Sequence, residues 1–170
     1  MYQRFHRVSK SLAEALALVG GLVLMGLIVL TCVSIVGRAF VPLDIGLGPI
    51  RGIYDVTEIG MAIAVFSFLP LAQFYDAHAR VDLFQPVMNK ALMAGLDVVF
   101  NAAMLVLAYV GTERLWLGML DKRAYHETTL IAQIPVWWGY AASLFGAVGF
   151  VFVAAFCTLR AMRRVAGLPD

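Results

Sequence analysis

Charge is what this sequence has least of. Asp, Glu, Lys and Arg make up 14% of its 170 residues, while 62% are hydrophobic. A water-soluble domain of this length carries about a quarter charged residues, so the deficit points to lipid as the solvent. Histidine is scarcer still: His6, His78 and His126 all fall in flanks or loops. A b-type haem anchor needs histidines inside its helices, which argues against that class, and no cofactor is expected. Catalytic and metal motifs are missing too, with no HExxH, CxxC, P-loop or GxSxG. Cys32 and Cys157 lie within the first and last apolar runs and read as small buried hydrophobes, not as a disulfide or a metal pair. The net charge is only +2, and the basic residues sit at the ends and in loops. No basic stripe exists to neutralise phosphates, which excludes a nucleic-acid partner.

What the chain does have is four long apolar runs, at about 12–36, 56–74, 92–117 and 136–159. Crossing roughly 30 Å of hydrocarbon at 1.5 Å per residue takes about 20 residues. The expectation is one all-α integral membrane domain spanning 1–170, with four transmembrane helices in contact with membrane lipid. Arg4, Arg7 and Lys10 precede the first run as they would in a secretory leader. The run is too long for one, and a retained helix is expected. Between the second and third runs, Val81, Phe84, Met88 and Leu92 recur at helical spacing with polar residues between them. This predicts a short amphipathic interfacial helix at about 81–91, on the cytoplasmic side. Residues 118–135 are expected to form the longest polar connection, facing outward.

Orientation follows from the basic flanks. Both termini inside places Arg4, Arg7, Lys10, Arg80, Lys90, Arg160, Arg163 and Arg164 on the cytoplasmic side. Arg38, Arg51, Arg114, Lys122 and Arg123 then lie on the other. Trp116 is expected to close the third helix, and Trp137 and Trp138 to open the fourth. All three suit anchors at the outer interface, where indole rings favour headgroup depth.

Ionisable groups within membrane segments are functional candidates. Glu58 falls in the first turn of the second run, Asp97 early in the third, and Glu113 beside Arg114 near the third run's outer end. These read as interfacial groups, hydrated or paired with a neighbouring subunit. Asp97 and Asn101, at i and i+4, share a face expected to turn toward protein. Small residues at four-residue spacing (Ala13, Ala17 and Gly21; Ala142 and Gly146) suit close helix approach.

The stretch 58–84, EIGMAIAVFSFLPLAQFYDAHARVDLF, resembles the small membrane subunit (DctQ type) of the tripartite ATP-independent periplasmic, or TRAP, transporters. That family follows its second helix with G-H-[IV]-x-V-D. His78, Val81 and Asp82 match it, while Ala77 and Ala79 depart mildly. Arg38, in V-G-R-A-F, ends the first run as the family's arginine does. Residues 134–140, IPVWWGY, are similar to the family's I-P-x-W-x-x-Y. The resemblance implies a four-helix accessory or scaffold subunit in the bacterial inner membrane, not an enzyme. It implies a large membrane subunit and a periplasmic substrate-binding protein as partners, importing an organic acid with a sodium gradient. It also implies that Arg38 and Glu58 pair with each other or with the large subunit. His78, Arg80 and Asp82 would then fix the cytoplasmic turn, with Asp82 capping the surface helix. Two other classes compete. A self-sufficient small transporter acting as a dimer needs a carboxylate deep in a helix, and the first run offers only Glu14 near its cytoplasmic end. An anchor for a respiratory enzyme lacks the helical histidines.

Overall fold

The computed structural model describes residues 2–41, 48–77 and 90–167. They form four α-helices: α1 (Tyr2–Phe40), α2 (Ile53–Phe74), α3 (Lys90–Ala124) and α4 (Val136–Val165). All four are long and apolar enough to cross a membrane. Most of the residues expected in the interfacial helix at 81–91 lie outside the described residues.

Three helices outrun the apolar segments that announce them. α1 begins at Tyr2 instead of near residue 12, α3 continues to Ala124 instead of stopping at 117, and α4 reaches Val165 instead of 159. Apolar length reports the thickness of hydrocarbon to be crossed, not where helical hydrogen bonding stops. Basic and polar residues such as Arg4, Lys10, Lys122 and Arg163 are adequate helix formers. The connection expected over 118–135 is thereby shortened, its first seven residues being the last turns of α3.

The ends are closed by backbone geometry. After α2, Ala77 N donates to Ala72 O (2.8 Å) and Asp76 N to Gln73 O (3.3 Å), with Asp76 at φ 52°. The same pair of bonds follows α3, with His126 at φ 50°, donating to Arg123 O, and Glu127 donating to Lys122 O. These are Schellman closures, in which a left-handed residue lets the chain satisfy carbonyls of the last turn. Asp, whose short polar side chain tolerates that conformation, serves here in place of glycine.

The helices pack in the order α1–α2–α4–α3, with α1 touching α4 more lightly and no substantial packing between α1 and α3 among the described residues. α4 is the hub. In its most apolar stretch 56% of residues are buried, against 11% in α1 and in α3. Small residues make the contacts. An added Cβ on Gly20 would stand 2.9 Å from Ser67 Cβ and 3.2 Å from Ala64 O, whereas Gly21 faces open space. The contact residue on α1 is therefore Gly20, correcting the Ala13–Ala17–Gly21 stripe; Ser9, Ala13, Gly20, Leu27 and Ser34 form the buried line. Pro70 lies inside α2, and its missing N–H leaves the carbonyl four residues earlier, Phe66 O, without a helical donor. Gly146 of α4 sits on that carbonyl, where an added Cβ would be 2.5 Å from both Phe66 C and O. The kink-prone point of α2 thus coincides with a close approach to α4.

Two core clusters share α4. One joins Ala13, Phe74, Val153, Phe156 and Cys157; the other joins Ala108, Phe150 and Ala154. Cys157 is 1% exposed, as a buried hydrophobe should be, but Cys32 is exposed on α1. That corrects the expectation for Cys32: in lipid an outward apolar side chain carries no penalty, so an apolar run does not imply burial.

Candidate functional site

Polar chemistry is concentrated at the two ends of the layer. The end where α1 begins and α4 finishes is here the terminal end, and the other, carrying the α3–α4 connection, is the hairpin end.

At the terminal end one polar layer ties three helices. Gln73 Nε2 of α2 donates to Asn101 Oδ1 of α3 at 3.0 Å, and Asn101 Nδ2 donates to Asp97 O at 2.8 Å. From α4, Thr158 Oγ1 donates to Asn101 O at 3.0 Å, and Cys157 Sγ to Gln73 O at 3.6 Å. Gln73, Asn101 and Thr158 are all buried, so each bond replaces water that cannot reach it. Arg160 adds a charged tie: its Nη2 reaches Asp76 Oδ2 at 3.1 Å and Phe74 O at 3.3 Å, and its guanidinium lies 5.6 Å from the Phe74 ring centroid. With side chains 12% and 31% exposed, the Arg160–Asp76 pair is partly shielded from water. His6 packs its ring against Phe74 and Phe156, bringing α1 into the same end. A cavity of about 50 Å³ lies here, lined in part by Asp97, Asn101, Arg160 and Arg164. It has room for water and is far below the 300–1,000 Å³ typical of small-molecule sites.

At the hairpin end the ties run to backbone. Asp55 Oδ2, in the first turn of α2, accepts from Ile131 N (3.0 Å) and Ala132 N (2.7 Å) of the α3–α4 connection. Gly52 makes this approach possible. Its φ is +76°, and an added Cβ would stand 2.7 Å from Ala132 Cβ. The connection is itself ordered by Thr129 N donating to Ile134 O (2.9 Å) and Val136 N to Glu127 O (3.0 Å). Lys122 Nζ meets Glu127 Oε2 at 2.6 Å, and the Arg123 guanidinium lies over the Trp137 ring.

The residues singled out from sequence distribute unevenly over this frame. Asn101 is at the centre of the terminal polar layer, and Asp97 is half-buried beside it. Arg38 and Glu58 are both exposed and form no ion pair with each other among the described residues. His78, Arg80 and Asp82 lie outside the described residues. Trp137 and Trp138 stand in the first turn of α4, but Trp116 does not close α3, which runs eight residues further. Glu113 and Arg114 likewise precede the end of α3 by about 15 Å. Sequence reasoning missed Asp55, Gln73, Asp76, Thr158 and Arg160 as tying groups. Asp55 looks like an ordinary first-turn acid, and its partners lie 76 and 77 residues away. A glutamine inside an apolar run was the one signal available, since a buried amide needs a partner.

Comparison with curated proteins and with solved structures yields no match. The family model described as "Tripartite ATP-independent periplasmic transporters, DctQ component" matches residues 27–167, most of the chain. The chain belongs to that family and is the small membrane component of a TRAP transporter.

Proposed function

We propose that this component serves as a static scaffold within a transporter that imports an organic acid with a sodium gradient. A large membrane subunit carries the substrate and ion, and a periplasmic binding protein delivers the substrate. The observation that carries this reading is the use made of the buried and half-buried polar groups. Gln73, Asn101, Thr158 and the Arg160–Asp76 pair are spent on joining α2, α3 and α4. A subunit that changes shape with each cycle would have to break these bonds in a low-dielectric setting, where an unsatisfied partner is costly. A subunit that holds its partner in place keeps them.

The family supports a multi-pass membrane protein that is not an enzyme. The finer placement is in the bacterial inner membrane with both termini cytoplasmic, supported by the basic clusters Arg4, Arg7 and Lys10 and Arg160, Arg163 and Arg164. A fluorescent protein fused after Asp170 should fold and fluoresce; a dark fusion paired with an active periplasmic reporter would reverse the orientation. Arg38 and Glu58, exposed toward the hairpin end, are proposed contacts to the large subunit, and His78, Arg80 and Asp82 are proposed to hold the cytoplasmic turn. Glu58→Gln and Asp82→Ala should each lower co-purification of the large subunit and uptake; unchanged values would remove both assignments. The scaffold reading is tested by reconstitution. Vesicles holding both membrane subunits, the binding protein and an inward sodium gradient should accumulate organic acid, and vesicles holding this chain alone should not. Uptake by the chain alone would sink it.

A further inference from the structure

Glu113 and Arg114 stand at an unexpected depth. Thr112 Oγ1, which donates to Ala108 O at 2.7 Å, also stands 3.3 Å from Ala147 O, which sets this turn of α3 level with residue 147 of α4. The preceding residue of α4, Gly146, rests on the Phe66 carbonyl of α2. Phe66 lies about 4 Å along α2 from its midpoint, and α2 rises about 33 Å over its 22 residues. That length matches the roughly 30 Å of hydrocarbon a spanning helix must cross. Glu113 and Arg114 are therefore level with the middle of α2, a helix of spanning length, and not with its outer end.

Both side chains are exposed, and neither has an ion pair or side-chain hydrogen bond among the described residues. As sequence neighbours they project about 100° apart around the helix and cannot satisfy each other along it. Around them the outward face of α3 is apolar, with Val106, Val110 and Leu117 exposed at 61%, 45% and 44%. Acyl chains have nothing to offer a carboxylate or a guanidinium, and ionised groups at mid-depth characteristically face protein. α3 is also the helix that packs substantially on α4 alone, so this face is open to a neighbour.

We propose that the outward face of α3 around Glu113 and Arg114 is where the large membrane subunit docks, presenting a cationic side chain to Glu113 and an anionic one to Arg114. This rests on the reading of the chain as a scaffold held against that subunit. The complementarity supplies what the face lacks, and burying both pairs at mid-depth fixes the register of the two subunits.

The test uses the full chain co-expressed with its large subunit. A photo-cross-linking residue placed at Val110 or Leu117 should capture the large subunit at least fivefold more efficiently than one at Phe145 or Val148, on the exposed face of α4. Glu113→Arg and Arg114→Glu should each lower the large subunit recovered with the tagged chain at least tenfold. The cross-links retain the native charges, so they decide the matter even where a charge reversal impairs insertion. Capture of a second copy of this chain from Val110 and Leu117, or capture of the large subunit from Phe145 and Val148 alone, overturns the proposal. Should the unaltered chain fail to retain the large subunit at all, the scaffold reading falls with it. Retention with Val110 and Leu117 silent removes the docking face alone.

Discussion

The terminal and hairpin ends of the layer are held by different chemistry. At the terminal end, side chains meet across helices: Gln73 with Asn101 and Thr158 with the Asn101 carbonyl, all buried, and Arg160 with the half-buried Asp76. At the hairpin end, an acidic side chain serves backbone amides of an exposed turn, Asp55 with Ile131 and Ala132. The numbers of bonds are similar, but their surroundings differ. Water reaches the exposed or half-exposed groups at the hairpin end, so loss of a partner there is partly made good by solvent. Within the terminal layer an orphaned amide has no substitute. The contrast teaches that bonds of equal length hold the two ends with unequal strength.

The largest expected effect falls between the ends, at the joint both depend on. Gly146→Val puts a side chain where even a Cβ lies 2.5 Å from the Phe66 carbonyl. It should destabilise by about 3 kcal/mol or prevent folding, read as a lowered Tm in mild detergent by circular dichroism. A wild-type Tm would mean that α2 and α4 can separate without disturbing either end. At the terminal end, Arg160→Ala removes the charged tie to Asp76 and to the Phe74 carbonyl and should cost roughly 2 kcal/mol, below the value for a fully buried pair because Asp76 is 31% exposed. Asp76→Gly should cost less than Asp76→Ala, since glycine relieves the φ of 52° while either change removes the carboxylate.

Next in size is Gln73→Leu, which should cost about 1–2 kcal/mol by leaving Asn101 Oδ1 unpaired. Adding Asn101→Leu should cost less than the sum of the two single changes, and strict additivity in that cycle would deny the coupling. Asp55→Ala at the hairpin end should lower the Tm less than Gln73→Leu and speed hydrogen exchange at the Ile131 and Ala132 amides. A Tm drop matching that of Gln73→Leu would erase the contrast between the ends. The smallest effect belongs to Lys122→Ala: its exposed pair with Glu127 should barely move the Tm, and any difference should vanish in high salt.

Much of the architecture could be read from composition alone. The four runs are conspicuous because lipid demands about 20 apolar residues per crossing, and Trp137 and Trp138 do stand in the first turn of α4. Asn101 was legible as an inward-facing residue through its pairing with Asp97 at i+4. Its actual partners, Gln73 and Thr158, were not, because they lie 28 and 57 residues away. That Glu113 and Arg114 stand level with the middle of α2 was not legible for a related reason: an apolar run has no internal marker of where its midpoint meets its neighbours.

The sequence by itself therefore determined that the chain is all-helical, how many times it can cross a membrane and which transporter family it belongs to. Tertiary structure alone decided the order α1–α2–α4–α3, the choice of Gly20 over Gly21 as the contact residue, and the level of the two charges on α3 beside the middle of α2. In water, an amphipathic pattern would have marked the inward face of each helix. In lipid the outward face is as apolar as the core, so that mark is erased. Helix partners are chosen by close packing of small residues and by a few polar ties.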